Sequence, residues 1–445
     1  MTGVANWWQR HHDGTEREAS PGPEPLPDAP PPVRTPLRVS PDRRRLLDTD
    51  GNAVLLQGDA AWSLIANTTL DEARRYLEDR RRKGFNVVIV NLIERLFSQD
   101  PPRNLAGDEP FTTPGDFRTP NEAYMAHAER VLAIAERLGI LVILAPAYLG
   151  YPRPANADPA QQPEGWYDEV VANGAAGGRA WGEYLGRRFG RFANVVWCIG
   201  GDRNPEAALA GLDQIARGIR AAGGDNLFTA HVLPEHSPLD VFPDHDWLDL
   251  NPTYTYETVH RALQRDWRRD PVSPFYLIES TYEGEHNASD VQIRRQAYWA
   301  VLCGGNGHCM GNAPIWWFGP GWEAALDMPA SVAMARWGAF FRDLPWADLE
   351  PDFDRAIVTA GLGEARGLDR VTAAATPDRR LAVAYLPAPR AATVQVGALA
   401  GPSVRVDWFE PATGRRVAGG ALVADGEATL MPPFAEDAVL TLETR

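Results

Sequence analysis

The sequence of 445 residues contains only three cysteines, which is too few for the disulfide framework of a small secreted domain. It also lacks an excess of positive charge, because 44 Lys and Arg face 59 Asp and Glu and the net charge is -15. This balance argues against nucleic acid and anionic membrane surfaces as partners. No apolar run approaches the roughly 18 residues that a membrane-spanning helix requires. We therefore expect a globular protein that binds neither nucleic acid nor membranes.

The N-terminus lacks the apolar segment of an export signal. Its first twenty residues, MTGVANWWQRHHDGTEREAS, carry charges and two histidines where such a signal needs an apolar core. The next stretch, PGPEPLPDAPPPVRTP, is rich in proline and acidic. Residues 1–36 are therefore predicted to be a disordered tail, and the cytoplasm is the expected location. His11 and His12 in such a tail are expected to be solvated rather than to bind a metal.

From residue 37 to about 346, short apolar runs alternate with amphipathic segments, about eight times in all. This pattern predicts a (β/α)₈ barrel of about 300 residues. A doubly wound open sheet is the alternative, but no glycine-rich phosphate loop follows the first strand. The expected strands are 53–59, 85–91, 140–148, 194–201, 226–232, 246–254, 274–280 and 308–317.

Two helix starts can be predicted in detail. Thr69 and Glu72 have the spacing of a capping box, and Gly84 is placed to end that helix. The next helix is predicted to begin with Thr119 as its N-cap and Pro120 at its first position.

After residue 346 the pattern changes to short alternating strands separated by Gly, Pro and charged turns, such as RLAVAYLPA and VRVDWFEPATGRRV. This is typical of a small β-sandwich, so residues 347–445 are predicted to form an accessory domain of that kind. The catalytic domain is then predicted to span residues 37–346.

Barrel enzymes place their sites at the carboxyl ends of the strands. Polar and aromatic side chains are frequent there: Asp59 and Trp62 after the first strand, Asn91 and Glu94 after the second, Tyr148 after the third, Asp202, Arg203 and Asn204 after the fourth, His231 on the fifth, Asn251 and Tyr254 on the sixth, Glu279, Tyr282 and Glu283 at the seventh, and Asn312, Trp316 and Trp317 after the eighth. Carboxylates, amides and aromatic rings at one mouth suit a neutral sugar. The first strand contains no HxH motif for a metal, and no strand ends in a lysine that could form a Schiff base. No metal and no cofactor are therefore expected.

Asp202 and Glu279 each directly follow an apolar strand. Burial of a carboxylate at such a position costs free energy, so a carboxylate there is expected to have a function. They are predicted to be the catalytic pair, with Asp202 as proton donor and Glu279 as nucleophile or activator of water. Gly200 and Gly201 are expected to let substrate approach beside Asp202, and Arg203 either turns away or clamps a neighbouring carboxylate. Structural roles remain open for Asp59 as a loop cap, for His231 as a rim residue and for the tryptophans as core.

The stretches LLQGDAAW, RRKGFNVVIVN, GGDRNP, DLNPTY, ESTYEGE and RRQAYWAVLCGGNGHCMGNAPIW resemble the apiosidase-like glycoside hydrolases. VRVDWFEPATGR resembles part of the β-sandwich domain that follows the barrel in this family and that is labelled a collagen-binding domain. The resemblance covers nearly all of the chain after the tail. It implies a TIM barrel that hydrolyses glycosidic bonds, in characterised members those of the branched pentose apiose in pectin side chains. It also implies that Asp202 and Glu279 are the catalytic residues and that hydrolysis retains the anomeric configuration.

Other functions remain open at this point. Another pentosidase, such as an arabinofuranosidase, would use the same carboxylates with a different pocket. A non-catalytic carbohydrate-binding protein is disfavoured because both acids are present. An interaction protein that binds collagen is the weakest alternative, because the acidic chain has no feature that is specific for collagen. The expected substrate is an oligosaccharide or a plant glycoside.

Overall fold

The computed structural model describes residues 23–153, 162–242 and 246–444. Its larger part is a sheet of eight parallel strands, here β1 to β8, all of them buried. They are Leu56–Ala60, Val87–Asn91, Leu141–Ala145, Val195–Gly200, Phe228–His231, Asn251–Tyr254, Phe275–Glu279 and Gly307–Met310.

The sheet has the order β5-β4-β3-β2-β1-β8-β7-β6, so each strand lies beside its neighbour in sequence and β8 returns to β1. The remaining gap, between β5 and β6, is bridged where Leu250 N donates to Phe228 O at 3.1 Å and Thr229 Oγ1 donates to Leu250 O at 2.9 Å. These bonds close the sheet into the barrel that the alternating pattern predicts. A short hairpin of Arg38–Val39 and Leu46–Leu47 precedes it.

Nine helices, α1 to α9, lie in the described part of the chain, most of them between consecutive strands. They are Leu64–Asn67, Leu70–Arg82, Glu122–Leu138, Tyr167–Phe189, Leu209–Ala222, Pro238–Val241, Val259–Trp267, Asp290–Leu302 and Pro329–Arg342. None of these helices is long and apolar enough to cross a membrane.

The capping box of α2 is confirmed, since Glu72 N donates to the Thr69 hydroxyl and Thr69 N donates to the Glu72 carboxylate. The predicted start of α3 is wrong. Asn121 is its N-cap and accepts from Ala123 N at 3.1 Å, so the helix begins two residues after Pro120. The hydroxyl of Thr119 instead accepts from Thr113 N in the preceding loop at 3.1 Å.

Part of the predicted N-terminal tail packs on the folded domains. Residues 1–22 lie outside the described residues, but residues 23–36 run as coil along the protein surface. Glu24 N donates to Thr413 O of the sandwich at 3.0 Å, and Arg336 of the barrel donates to Glu24 O at 3.2 Å. Prolines cost little conformational entropy when they are fixed, so a proline-rich segment can lie against a surface without regular structure.

The C-terminal part consists of two antiparallel sheets. Its strands, β9 to β17, are Glu350–Pro351, Val358–Ala360, Thr372–Ala375, Leu381–Leu386, Ala392–Gln395, Ser403–Phe409, Arg416–Val423, Glu427–Leu430 and Ala438–Thr444. One sheet has the order β9-β11-β12-β17-β14-β15 and the other β10-β13-β16. Apolar side chains of both sheets form one buried cluster, as expected for a sandwich.

The larger sheet of the sandwich packs directly on the barrel helices. The rings of Tyr298 from α8 and Tyr385 from β12 stack with centroids 4.6 Å apart. Beside them Arg294 from α8 forms a fully buried ion pair with Asp437 at 2.8 Å. A single apolar cluster runs across this boundary.

Candidate active site

The end of β4 presents Asp202 in an unusual backbone conformation. Gly200 has φ 91°, Gly201 has φ 150°, and Asp202 itself has φ 45°. Only glycine adopts the first two conformations without strain, whereas an aspartate with positive φ stores strain of about 1–3 kcal/mol. The chain therefore turns sharply after β4 and directs the Asp202 carboxylate into the barrel mouth.

The two glycines make room for the protein's own groups. A Cβ atom on Gly201 would overlap the ring of Tyr148, and one on Gly200 would press on the carbonyl oxygen of His231. The sequence-based expectation that they clear the way for substrate is therefore replaced by a packing role. They allow Tyr148 and His231 to approach Asp202 from both sides.

Glu279, the last residue of β7, is held by two side chains. His231 Nε2 lies 3.1 Å from Glu279 Oε2, and the hydroxyl of Tyr256 donates to Oε1 at 3.1 Å. His231 Nδ1 accepts from the backbone N–H of Asp202 at 3.1 Å, so in this arrangement the ring carries its proton on Nε2 and donates it to Glu279. The imidazole thereby links the two candidate catalytic residues.

The carboxylates of Asp202 and Glu279 face each other at short range. One oxygen of each lies within 4.8 Å of the other, with a ring nitrogen of His231 equally close. Burial, followed by the negative charge of Glu279, raises the pKa of Asp202 to about 6. Asp202 Oδ1 has no hydrogen-bond partner among the described residues, although His231 Nδ1 lies 3.5 Å away. This oxygen is free to exchange a proton with a bound molecule.

Three groups with the right chemistry for a metal thus lie together: Asp202, His231 and Glu279. Both nitrogens of the imidazole are, however, engaged with protein groups, one with a backbone N–H and the other with Glu279. We therefore interpret the cluster as an acid–base arrangement.

Tyr148 connects Asp202 to a third carboxylate. Its hydroxyl lies 2.5 Å from Asp202 Oδ2 and 2.6 Å from Glu164 Oε1. A hydroxyl has one proton and can donate it to only one of the two oxygens. Both contacts are hydrogen bonds only when one of the carboxyl groups is itself protonated. Burial, together with the charge of Asp202, also raises the pKa of Glu164.

These groups lie in a cavity of about 390 Å³ at the mouth of the barrel. Seven of the predicted site residues line it: Trp62, Asn91, Tyr148, Asp202, Glu279, Tyr282 and Trp316. All of its lining residues belong to the barrel, and the sandwich contributes none in the described part of the chain. Asn91 Oδ1 has no partner among the described residues, so it is available to a ligand hydroxyl.

Two further predicted residues, His231 and Tyr254, lie behind the side chains that line the cavity. His231 is fully enclosed between the two carboxylates, and its ring lies 4.6 Å from that of Tyr254. The hydroxyl of Tyr254 lies 2.8 Å from that of Tyr151, which is on the cavity wall.

Six predicted residues lie away from the cavity. Asp59 is completely buried and accepts from Arg80 Nε at 2.5 Å and from Tyr76 at 2.7 Å, which makes it part of an internal ion pair. Arg203 turns away from Asp202 and Glu279: its guanidinium lies 3.4 Å from the centre of the Tyr167 ring and pairs with Glu206 at 3.2 Å. The other four bond to neighbouring protein groups: Asn204 to Leu233 N, Asn251 to Ser237, Glu283 to Ala330 N and Asn312 to Ser331.

The cavity also contains residues that the sequence reasoning missed. They are Phe97, Tyr151, Glu164, Tyr256, Glu285 and His286. All of them except Glu164 follow within three residues of a strand-end position named from the sequence, so a wider window around each strand end would have included them. Glu164 comes from a long loop, where no sequence signal distinguishes it.

Comparisons with known proteins agree with the barrel and sandwich architecture. Residues 40–348 match the family described as apiosidase-like, catalytic domain. The chain belongs to the apiosidase-like family. Residues 354–443 match a second family, named for a proposed collagen-binding domain of a collagenase. The apiosidase-like match therefore covers the whole barrel with all the cavity residues, and the second match covers the sandwich. No curated protein sequence matches the chain.

Solved structures of glycoside hydrolases share the fold of this apiosidase-like chain. One, named simply glycoside hydrolase, is 22% identical with a TM-score of 0.80 over 93% of this chain and 98% of its own. A glycoside hydrolase family 5 protein from Bacteroides vulgatus is 21% identical, with a TM-score of 0.80 over 93% and 95% of the two chains. At these identities the likeness concerns the fold, both barrel and sandwich.

Proposed function

We propose that the protein is a glycoside hydrolase that releases a terminal apiose-like pentose through Asp202 and Glu279. The observation that carries this proposal is their arrangement: two buried carboxylates face each other within 4.8 Å, and the pKa of one is raised to about 6. Glycosidases need one protonated and one ionised carboxyl group on either side of the scissile bond.

In the first step Asp202 donates its proton to the leaving oxygen while Glu279 attacks the anomeric carbon. The glycosidic bond breaks, and a covalent glycosyl ester forms on Glu279. In the second step Asp202, now ionised, takes a proton from water, whose oxygen attacks the same carbon and releases Glu279. One oxygen of each carboxylate lies within 4.8 Å of the other, and this close approach supports the retaining sequence, because an inverting enzyme keeps its carboxyl groups roughly 6.5–9.5 Å apart to leave room for water.

The neighbouring side chains suit these two roles. His231 and Tyr256 donate to separate oxygens of Glu279, which stabilises the ionised form and fixes its orientation for attack. Tyr148 holds Asp202 on its other side and connects it to Glu164. The protonation states of Glu164 and Asp202 are therefore coupled through the tyrosine hydroxyl.

The cavity walls support a small neutral sugar as the substrate. Four carboxylates and no arginine or lysine line the cavity among the described residues, so an anionic sugar would be repelled. Trp62, Tyr148, Tyr282 and Trp316 offer aromatic surfaces for the C–H faces of a sugar ring. The volume of about 390 Å³ accommodates a single pentose with part of its leaving group.

Hydrolysis of a panel of aryl pentosides tests this proposal. The panel contains apiosides, arabinofuranosides and xylosides, with an aryl hexoside and an aryl uronide for comparison. We expect the highest kcat/KM for the apioside and no turnover of the uronide. Preference for the arabinofuranoside would indicate the other pentosidase, and binding without any turnover would indicate a carbohydrate-binding protein.

A further inference from the structure

A second cavity, of about 210 Å³, lies between the barrel and the sandwich. We call it the interdomain cavity. Helix α7 contributes His260 and Arg261, and the start of the sandwich domain contributes Arg355, Arg370 and Thr372. It shares no lining residue with the active-site cavity. Its charge also differs from that of the active-site cavity, because most of the charged residues that line it are basic.

The positive charge of the interdomain cavity is largely uncompensated. Arg261 and Arg355 form no side-chain hydrogen bond or ion pair with any described residue, and Arg370 has only a 3.5 Å contact with Gly363 O. Asp352 is the one acid on the described lining. Its oxygens already accept three backbone N–H groups at 2.7–3.0 Å, from Ala356, Ile357 and Val358. Three cations gathered in this way, in a chain of net charge -15, favour a bound anion.

Polar atoms without partners lie on the wall of the same cavity. His260 is only 5% exposed, and neither of its ring nitrogens has a hydrogen-bond partner among the described residues. The hydroxyl of Thr372 also has none. A buried polar atom without a partner costs about 1–3 kcal/mol, so three of them at one cavity indicate a polar ligand. Burial, with the charges of Arg370 and Arg261, lowers the pKa of His260 to about 4, which leaves a neutral ring that can donate one N–H.

We propose that the interdomain cavity binds a small tetrahedral oxyanion, either free phosphate or sulfate or the corresponding group of a small ester. The guanidinium groups of Arg261, Arg355 and Arg370 supply charge-assisted donors, which suit the oxygens of such a group. His260 and Thr372 supply neutral donors from the buried side. An anion held there contacts both domains and strengthens their association. This site is independent of the glycosidase proposal, since none of its residues touches the catalytic pair.

Calorimetric titration of the full chain with inorganic phosphate and with sulfate, at constant ionic strength set by chloride, tests the proposal. We expect saturable binding at one site and a rise of the unfolding temperature with phosphate but not with chloride. The variant Arg261→Gln/Arg355→Gln changes two exposed side chains and should fold normally, yet bind phosphate at least about tenfold more weakly. Titration with glycerol phosphate distinguishes the sources, because tighter binding than that of free phosphate identifies an ester.

The matched control is Arg137→Gln, an exposed arginine on α3 outside the interdomain cavity. It removes one positive charge from the surface and should leave phosphate binding unchanged. Hydrolysis of an aryl glycoside should be the same in the double variant and the wild type. Absence of saturable binding, or equal phosphate affinity in the double variant and the wild type, would overturn the proposal whatever the outcome of the hydrolysis assay.

Discussion

At the scale of single residues, the position of Asp202 depends on contacts with two neighbours, His231 and Tyr148. Its strained backbone is held because its N–H donates to His231 Nδ1 and its carboxylate accepts from Tyr148. The same imidazole contacts Glu279 through its other nitrogen. The orientations of the two carboxylates are therefore linked through one rigid ring, which is the kind of preorganisation that catalysis requires.

The variants Asp202→Asn and Glu279→Gln should each fold and lose on the order of 10³-fold or more in turnover, because each removes a proton transfer or a nucleophile. A dinitrophenyl glycoside, whose leaving group needs little protonation, should restore bond cleavage in the Asp202 variant but not in the Glu279 variant. Steady-state and burst kinetics on two aryl glycosides measure this. Retention of more than about a tenth of wild-type activity by either variant would refute its assigned role.

Glu164→Gln should move the pH profile of kcat/KM. Asp202 must be protonated to act as the acid, so activity falls as the pH rises through its pKa of about 6. Without the Glu164 carboxylate, Tyr148 donates its proton to Asp202 alone and stabilises the ionised form, which lowers that pKa. The basic limb should therefore shift to lower pH by about half a unit or more.

Glu285→Gln is the control for this shift. Glu285 also lines the cavity, but it accepts from Trp316 Nε1 and has no bond to Tyr148, so the basic limb should keep its position. An unchanged or upward-shifted limb in the Glu164 variant would contradict the proposed proton sharing.

The sequence predicts that Asp202 and Glu279 reach the cavity, but not which other polar residues at strand ends do so. Asp59 and Asp202 both follow apolar strands, and sequence position alone does not separate them. Asp59 is neutralised by Arg80, which comes 21 residues later on α2, so its role depends on a tertiary contact. Glu164 shows the opposite case, since only the folded loop brings it to Tyr148.

At the scale of elements, the strands were predictable because parallel strands covered on both faces are continuous apolar runs. The observed strands are shorter than the runs, as at β3, where residues 140–148 were predicted and Leu141–Ala145 form the strand. The extra residues continue into the loops that carry the site, including Tyr148. The start of a helix depends on which side chain accepts from its first backbone N–H groups. At α3 the carboxamide of Asn121 accepts from Ala123 N, so Asn121 is the N-cap in place of Thr119.

Gly201→Ala tests whether the turn after β4 positions the site. The added methyl group would overlap the Tyr148 ring, so we expect a large loss of kcat/KM together with a destabilisation of about 1–3 kcal/mol. Gly107→Ala is the control, because Gly107 also has positive φ, 85°, but no atom lies within 4 Å of its Cβ position. Thermal unfolding and kinetics should separate the two, and equal activity in both would refute the positioning role.

At the scale of the whole molecule, the sandwich is bound to the barrel by a buried charged contact. Arg294 from α8 bonds to Asp437, and Tyr385 donates to the same carboxylate at 2.9 Å. A buried ion pair contributes little compared with apolar packing, but loss of Asp437 would leave Arg294 with only the partly exposed Asp290 and the exposed Glu436 as partners. The two domains should therefore unfold together.

Asp437→Asn should lower the free energy of unfolding by about 3 kcal/mol or more, because Arg294 would keep its charge in a fully buried position. Glu436→Gln is the matched control, since Glu436 bonds to the same guanidinium but is 60% exposed. Denaturant unfolding followed by tryptophan fluorescence measures both. A small, similar effect of the two substitutions would show that the interface does not depend on this pair.

In the proposed mechanism Glu279 attacks the anomeric carbon directly while Asp202 protonates the leaving group. Proton NMR of the first sugar formed from an aryl apioside tests this most directly, before the free sugar equilibrates between its anomers. Attack by Glu279 followed by water inverts the anomeric centre twice, so the first product should keep the configuration of the substrate. Appearance of the opposite anomer first would show that water attacks in a single step and would rule out direct attack by Glu279.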